Sequence, residues 1–221
     1  MNDRDPIILC PLEFERKALQ RHLAGTDLRV ICCGPGKEGV TRWAGLNRKP
    51  GAPVVLAGLA GSLVEALNPG DVVDLEAAVA PGNVRFETNW RLHASCGVPR
   101  VTGTNSTRLV NSRPARRALH LHLGCSIVDM ESLAFAEAAQ QNGWTFGILR
   151  GISDGLDETL PPGCDQWVDH RGRAAKRAIA ASILRTPSLI SRMRVMKKTG
   201  DKVLETVAKH IMSSLGTGPA S

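Results

Sequence analysis

The chain has 221 residues, which is enough for one well-buried core and short for two full domains. Hydrophobic residues make up 43% and charged residues 22%, as is usual for a globular protein, and no Cys/His cluster has zinc-ligand spacing. No apolar run reaches the roughly 18 residues that a membrane-spanning helix needs, and acidic residues precede the first apolar run, where a signal peptide would be basic. We therefore expect a cytoplasmic protein without a metal site.

The formal net charge of +7 is concentrated at the C-terminal end of the chain. Residues 171–221 contain 11 Lys and Arg against 2 Asp and Glu, whereas residues 1–170 contain 17 against 19. A nucleic-acid-binding fold would carry its positive charge on the body of the domain, with aromatic side chains interleaved for stacking. The distribution therefore argues against a nucleic-acid partner.

Short apolar runs alternate with helix-like stretches in the first part of the chain. The runs 6–10, 28–33 and 53–58 predict buried strands, and the segments 13–23 and 40–46 predict helices. Small-residue turns follow two of the strands, GPGKEG after the second and GLAGSL after the third. Strand, turn, helix and strand in this order indicate βαβ units and hence a largely parallel sheet.

Apolar runs and helix-like stretches alternate up to residue 185, and the composition of the chain changes after Thr186–Pro187. Apolar residues at helical spacing then form two stripes, one before and one after Gly200, and Lys and Arg lie between the apolar residues. We expect Gly200 to end the first of two helices. The pattern predicts an α/β body at 1–185 followed by a basic amphipathic helical hairpin, a tail at 186–221. Further strands of the body are predicted at 72–80, 84–94, 126–129 and 144–150, and further helices at 113–123, 132–142 and 173–184.

Acidic residues follow three of the predicted strands, where ligands collect in open α/β sheets. Cleavage of a nucleoside needs such groups: an acid that protonates the leaving base, negative charge near the cationic sugar, and a base that activates water. Acids that cap helices fit the same spacing, so the pattern alone leaves both interpretations open. The residues are Glu13 and Glu15 after the first strand, Asp129 and Glu131 after the strand at 126, and Asp154 and Asp157 after the strand at 144.

Five segments carry a family resemblance. They are VDMESLAFAEAA at 128–139, RGISDGLDE at 150–158, IILCPLEFER at 7–16, CCGPGKEGV at 32–40 and LAGLAGSL at 56–63. The first two resemble the V-E-M-E-A-x-A and R-x-I-S-D-x-A-D segments of the purine nucleoside phosphorylase and methylthioadenosine/S-adenosylhomocysteine nucleosidase superfamily, and the others its first strand and its two glycine turns. The resemblance covers residues 6–185. It implies a three-layer αβα fold with a mixed, largely parallel central sheet, followed here by the helical tail, and it makes 1–185 the catalytic domain.

The resemblance also implies a function: hydrolysis of the N-glycosidic bond of a 5′-substituted adenosine, which releases adenine and needs no metal or organic cofactor. Asp154 would protonate the leaving purine with support from Ser153, and Glu15 would activate the attacking water. Glu131 would hold the 2′- and 3′-hydroxyls of the ribose, and Arg150 would lie near the water or anion site. The substrate-binding residues implied in this way are Met130, Glu131, Ser153, Arg150, Ala60 and Gly61.

Departures from the family pattern leave alternatives open. Leu59 stands where phosphorylases place a Ser or Thr that helps to hold phosphate, and only Lys37 is at hand to replace an arginine beyond the first turn. Both departures favour hydrolysis, although nucleosidases also use that hydroxyl near the water. A phosphate-dependent purine nucleoside phosphorylase and a non-catalytic nucleoside-binding relative are the alternatives. The aromatic residue that stacks on the purine is missing too, and Phe146, Phe86 or Trp90 are candidate substitutes.

The tail and the segments before it resemble one branch of the superfamily, the hopanoid-associated nucleosidases, which remove adenine from adenosylhopane. The matching pieces are VDMES, SDGLDE-x-LPP, WVDHRGR and ILRTPSLISRM. This resemblance implies a lipid-linked nucleoside substrate and peripheral membrane contact through the basic tail. The resemblance to the superfamily as a whole implies a homo-oligomer, which we expect to be a dimer. The alternative is that the apolar stripe of the tail packs on the body or on a second subunit, with its charges in solvent.

Overall fold

The computed structural model of the chain describes residues 5–91 and 97–214. Within this part, eight strands form one mixed sheet: β1 (Ile7–Cys10), β2 (Arg29–Cys32), β3 (Val54–Ser62), β4 (Val72–Ala80), β5 (Val84–Glu87), β6 (Arg100–Asn105), β7 (Ile127–Asp129) and β8 (Phe146–Asp154). The helices are α1 (Glu13–His22), α2 (Gly36–Leu46), α3 (Arg113–Leu123), α4 (Ser132–Gln141), α5 (Lys176–Arg185) and α6 (Leu189–Ser214), with a short 3-10 helix at Cys164–Trp167.

The sheet closes on itself through five of its strands. β3 pairs with β7, β7 with β6, β6 with β4, β4 with β8, and β8 again with β3. The pairs β3–β7 and β4–β8 are antiparallel, whereas β3–β8, β4–β6 and β6–β7 are parallel. β1 and β2 extend the sheet beyond β3 in parallel. The sheet is therefore mixed and largely parallel, as predicted.

Helices cover the sheet on both faces. On one face, buried side chains of α2 and α4, among them Trp43 and Phe135, pack with Leu56 and Ile148 of the sheet. On the other face, Leu19 of α1 and buried side chains of α6 pack against alternate strand residues. These layers confirm the predicted three-layer αβα fold.

β3 and β8 are longer than the sequence indicated, and the GLAGSL segment is not a turn. β3 pairs with β8 as far as Gly61 and with β7 at Gly61 and Ser62, so the small residues lie inside the sheet. Two of these residues must be small because charged side chains lie directly over them. A Cβ on Gly58 would lie 2.8 Å from Arg150 Nη1, and one on Gly61 would lie 2.7 Å from Asp154 Oδ2.

The middle of the chain differs from the prediction in two further places. β6 was missed, because its sequence, RVTGTN, lacks a long apolar run and two of its middle residues are Gly103 and Thr104. The predicted strand at 84–94 ends at Glu87 in the structure, and residues 92–94 of that prediction lie outside the described part. Thr88 and Trp90 still make backbone hydrogen bonds to Glu76 and Phe146, so the chain continues along the sheet without forming a regular strand.

The predicted helical hairpin is wrong: residues 189–214 form one helix, α6, which continues through Gly200. Its apolar stripe is buried on the body, with Val203 and Leu204 at 1% and 0% exposure. The contact with β8 is so close that a Cβ on Gly151 would lie 2.2 Å from Val203 Cγ1. The tail therefore forms part of the layer that contains α1, and its basic side faces outward. Across the described residues, none of the helices has both the length and the apolar composition to cross a membrane.

Candidate active site

Glu15 lies in the first turn of α1, directly after β1, and is only 2% exposed. Its carboxylate accepts two backbone hydrogen bonds of 2.9 Å, one from Leu12 N at the start of the helix and one from Leu59 N in β3. Burial raises the pKa of Glu15 to about 7, and the positive charge of Arg150 opposes this effect. Glu13, by contrast, forms a partly exposed ion pair of 2.7 Å with Arg16. Of the two acids, Glu15 is therefore the one positioned for proton transfer near neutral pH.

Arg150 lies in the middle of β8 and is fully buried. Its Nε is 2.8 Å from Asp129 Oδ2, and its Nη2 is 3.6 Å from Glu131 Oε2. Its Nη1 has no hydrogen-bond partner among the described residues. Buried polar atoms are nearly always hydrogen-bonded, so an unpaired donor beside two carboxylates indicates the place of a small polar ligand.

The segment that joins β7 to α4 supplies the other two carboxylates. Asp129 accepts hydrogen bonds from the backbone N–H groups of Glu131 and Ser132, at 3.0 and 2.8 Å, and so holds the first turn of α4. Oε1 of Glu131 accepts a hydrogen bond of 2.8 Å from Gly36 N, at the start of α2. Burial raises the pKa of Glu131 to about 7 as well, and the charge of Asp129 adds to the rise while that of Arg150 opposes it. Three carboxylates from two separate segments of the chain thus surround one guanidinium.

Gly58 lets the side chains of Glu15 and Arg150 lie directly against the backbone of β3. A Cβ at this position would lie 2.8 Å from Glu15 Oε1 and 2.8 Å from Arg150 Nη1. The side chain of Leu59, the next residue, packs on the opposite side of β3, where a Cβ on Gly200 of α6 would lie 3.5 Å from it. The position that phosphorylases fill with a hydroxyl therefore contributes only its backbone N–H here, and that group is bonded to Glu15.

Asp154 forms a second charged cluster at the end of β8, four residues beyond Arg150. Ser153 Oγ donates a hydrogen bond of 2.5 Å to Asp154 Oδ1, and the carbonyl of Ala60 lies 3.3 Å from the same hydroxyl as a second acceptor. Asp154 Oδ2 forms a buried ion pair with Arg116 of α3. Gly61 provides room for this carboxylate, as its missing Cβ shows. The strand rise places Asp154 roughly 13 Å from Arg150 along the backbone.

Sequence reasoning missed Arg116, which is 1% exposed and whose ion pair is the main contact of Asp154. A signal was present in the sequence. Arg116 shares a helical stripe with Leu119 and Leu123, the two leucines of α3 that pack against a small apolar cluster. A basic residue in line with a buried stripe indicates a buried charge that needs an acidic partner.

Of the residues considered for contact with the ribose or the base, only some lie near the charged clusters. Met130 is half-buried between β7 and α4, next to Glu131. Phe146 is not free to stack on a base, because it is buried in edge-to-face contact with Phe135. Trp90 packs on Gly147, where a Cβ would lie 2.9 Å from its ring, at the far end of β8 from Asp154. Phe86 is half-buried in the apolar core and contributes no described contact to either cluster.

Two surface cavities lie outside the charged clusters. One, of about 430 Å³, is lined mainly by apolar residues, and its one carboxylate, Asp71, accepts a hydrogen bond from the backbone of Asn68. The other, of about 460 Å³, lies between α2 and α4 and has Lys37 in its wall. Lys37 is exposed there and is not among the partners of Arg150 or Glu131. It is therefore a poor replacement for a phosphate-binding arginine.

Comparisons with known proteins identify the fold. Residues 95–185 match the Phosphorylase superfamily, and the match includes Glu131, Arg150 and Asp154 but not Glu15. No curated protein sequence matches the chain significantly. Among solved structures, 5′-methylthioadenosine/S-adenosyl homocysteine nucleosidase of Helicobacter pylori is similar at 18% identity and a TM-score of 0.71, with 98% of this chain and 99% of that chain covered. The fold is that of the nucleoside phosphorylase superfamily.

Two more solved structures of this superfamily fold agree. Futalosine hydrolase of Helicobacter pylori aligns at 18% identity and a TM-score of 0.69, covering 96% of this chain and 97% of its own. S-adenosylhomocysteine nucleosidase of Streptococcus pyogenes aligns at 15% identity and a TM-score of 0.67, covering 100% and 99%. The match over residues 95–185 and the shared fold agree with the superfamily resemblance seen in the sequence, whereas the hopanoid branch and the homodimer stay predictions.

The close packing of Glu15 and Arg150 over Gly58 can be tested by stability alone. We expect Gly58→Ala to destabilise the fold by about 1–3 kcal/mol, because its methyl group must displace Glu15 or Arg150. The matched control is Gly45→Ala on the exposed side of α2, where a Cβ meets open space; it should be neutral or stabilise by up to about 1 kcal/mol. Urea unfolding measures both variants. Equal midpoints would show that the two charged side chains do not meet over Gly58.

Proposed function

We propose that the chain is a nucleosidase, a hydrolase that cleaves the N-glycosidic bond of a 5′-substituted adenosine and releases adenine. The observation that carries the proposal is the unpaired, buried Nη1 of Arg150, which lies beside the carboxylate of Glu15 where both side chains pack over Gly58. A water molecule bound at Nη1, within reach of the neighbouring carboxylate, would accept a hydrogen bond from Nη1 and donate one to Glu15. The two groups thus provide what a hydrolase needs at its nucleophile.

Glu15 is the proposed general base. Its pKa of about 7 lets it exist as a carboxylate at neutral pH and still hold a proton taken from water. In the reaction, the water oxygen bonds to C1′ of the ribose while the bond from C1′ to N9 of the purine breaks. One water proton passes to Glu15, and the electron pair of the broken bond remains on the purine. The proton on Glu15 returns to solvent after the sugar leaves.

Glu131 is the proposed ribose-binding residue. Its Oε1 is fixed by Gly36 N, whereas its Oε2, 3.6 Å from Arg150, is too far for a hydrogen bond and retains lone pairs for the ribose hydroxyls. The half-buried Met130 next to it provides an apolar surface for the sugar. As the bond to the purine breaks, positive charge develops on the ribose, and the carboxylates of Glu131, Glu15 and Asp129 stabilise it.

Asp154 is the proposed general acid, which takes up a proton from solvent and delivers it to N7 of the purine. The base leaves as a neutral molecule only if this proton arrives as the bond to C1′ breaks. Ser153 contacts the carboxylate directly, and Ala60 and Gly61 border it from β3. These contacts support the proposed role of the three residues at the base end of the site.

The charge of the site favours water over phosphate as the nucleophile. Arg150 is surrounded by Asp129, Glu131 and Glu15, so a phosphate dianion placed at Nη1 would face three carboxylates with one guanidinium to offset them. Neither the side chain of Leu59 nor Lys37 supplies another donor there. A phosphorylase would need more positive charge at this position than the described residues provide.

The direct test is release of free base from 5′-substituted adenosines, with and without phosphate, followed by chromatography. We expect release without phosphate, and a loss of at least about 100-fold in kcat for Asp154→Asn, because general acid catalysis contributes about 10²–10⁴. The matched control is Asp157→Asn, an exposed acid three residues on that pairs with Arg113; it should retain kcat within about threefold.

Other outcomes of this assay identify the alternatives. Release only in the presence of phosphate would make the chain a phosphorylase and would leave Glu15 without its role. No release from soluble or lipid-linked adenosines would favour a nucleoside-binding relative without catalysis. Equal activity of the two aspartate variants would contradict the assignment of Asp154.

We further propose that the 5′ substituent is a lipid such as the hopane of adenosylhopane, and that the enzyme meets its substrate at a membrane. The apolar side of α6 is buried on the body, so α6 cannot insert that side into a bilayer. Its outward side is basic, with Arg194, Lys198 and Lys202 exposed. Val195 on the same side is 65% exposed. This surface supports attraction to anionic headgroups instead of deep insertion.

Sedimentation with vesicles tests the membrane contact. We expect the protein to bind vesicles that contain anionic lipid and not neutral vesicles, and to lose binding as salt increases, because the contact is electrostatic. Lys198→Glu with Lys202→Glu should abolish binding. Arg48→Glu with Lys49→Glu, on the loop after α2, reverses as much charge elsewhere and should retain it. Binding that is absent, or unaffected by the α6 substitutions, would refute a membrane role for this surface.

A further inference from the structure

Arg116 is a buried charge whose contacts converge on the end of β8. Its Nε donates a hydrogen bond of 2.9 Å to the carbonyl of Val110, and its Nη1 lies 2.5 Å from the carbonyl of Gly155 and 3.3 Å from that of Ser62. Its Nη2 pairs with Asp154 Oδ2, the one carboxylate that it contacts in the described chain. The guanidinium thus joins α3 to the ends of β3 and β8.

The backbone contacts fix the guanidinium in place without neutralising its charge. Four carbonyl groups, the three above and that of Asp154 at 3.5 Å, orient its plane, and the carboxylate of Asp154 supplies the opposite charge. Since an unpaired buried cation is costly, Asp154 and Arg116 depend on each other in the folded protein. One oxygen of the carboxylate is thereby held at a fixed position, and Oδ1 is left to Ser153 and to any ligand.

We propose that Arg116 is a positioning residue for the acid of the reaction, acting through Asp154 on the departure of the purine. The proposal rests on the function proposed above. Asp154, which is paired with Arg116 as a carboxylate, first takes a proton from solvent. When it transfers this proton to N7, the N7–H bond forms, the carboxyl O–H bond breaks, and the electron pair stays on the carboxylate. Arg116 stabilises that carboxylate and so favours the transfer.

Rotation of the Ser153 hydroxyl can free the other oxygen of Asp154. Its single hydroxyl proton can serve Asp154 Oδ1 at 2.5 Å or the carbonyl of Ala60 at 3.3 Å, but not both at once. Rotation of this hydroxyl towards Ala60 leaves Oδ1 free for the purine, while Arg116 keeps Oδ2 in place. The base end of the site therefore has one fixed oxygen and one that is released to the substrate.

Steady-state kinetics of Arg116→Gln and Arg116→Lys test this role. We expect Arg116→Gln to lower kcat for adenine release by about tenfold or more, a part of the 10²–10⁴ due to general acid catalysis, while KM changes less than about threefold. Arg116→Lys retains the charge and should recover most of the lost kcat. The matched control is Arg113→Gln, one turn earlier on α3, whose ion pairs with Glu65 and Asp157 are exposed; it should leave kcat unchanged.

A double-mutant cycle separates positioning from a general loss of structure. If Arg116 acts through Asp154, Arg116→Gln should cause no further loss of kcat in the Asp154→Asn background. An equal loss in both backgrounds, or a kcat within threefold of wild type for Arg116→Gln, would overturn the proposal. Urea unfolding monitors the fold. If Arg116→Gln does not fold, Arg116→Lys takes its place in the cycle, and failure of both to fold would assign Arg116 a purely structural role.

The proposed function can fail separately from this inference. A wild-type chain that releases no base refutes the nucleosidase, whatever the variants do. A wild-type chain that is active and insensitive to Arg116 substitution refutes only the positioning role.

Discussion

The ion pair between Arg150 and Asp129 holds together the parts of the chain that form the site. Arg150 belongs to β8, Asp129 ends β7 and fixes the start of α4, and Glu131 reaches from there to the start of α2. Glu15 brings α1 and β3 to the same place. A fully buried guanidinium is stable only if acids surround it, and here the acids come from separate segments of the chain. Fold and site therefore depend on one charge balance.

The same strand, β8, presents two chemically different ends. At Arg150 the carboxylates outnumber the guanidinium, and burial raises the pKa values of Glu15 and Glu131 to about 7. At Asp154 one carboxylate faces one guanidinium, that of Arg116, in a balanced pair. In the proposed function the first end receives a cationic sugar and an activated water, and the second, after its carboxylate has taken up a proton, delivers that proton to the leaving base. Glycines of β3 make room at both ends, and their small size led sequence reasoning to a turn.

Sequence reasoning predicted the layered fold and found Glu15, Glu131, Arg150 and Asp154, because each lies in a short motif segment that can be recognised locally. The structure places them on β8 and on elements next to it. It could not find what depends on distant contacts. The sequence predicted that a helix ends at Gly200, yet Gly200 packs next to Leu59 and α6 continues through it. Arg116 carries no motif, and only the packing of α3 shows that it meets Asp154. The catalytic and substrate-binding roles of these residues stay predictions.

Affinity for a cationic ribose mimic tests the central claim, that buried carboxylates around Arg150 stabilise a positively charged sugar. Glu15 and Glu131 lose their protons as pH rises through about 7, so the site becomes more negative above that pH. Calorimetry with a pyrrolidine analogue of the nucleoside, compared with its uncharged ribose counterpart, should therefore show the cation binding about tenfold more tightly at pH 8 than at pH 6, as expected when binding needs one such ionised group. The uncharged ligand should change much less. Equal affinities of the cation at the two pH values would contradict the account.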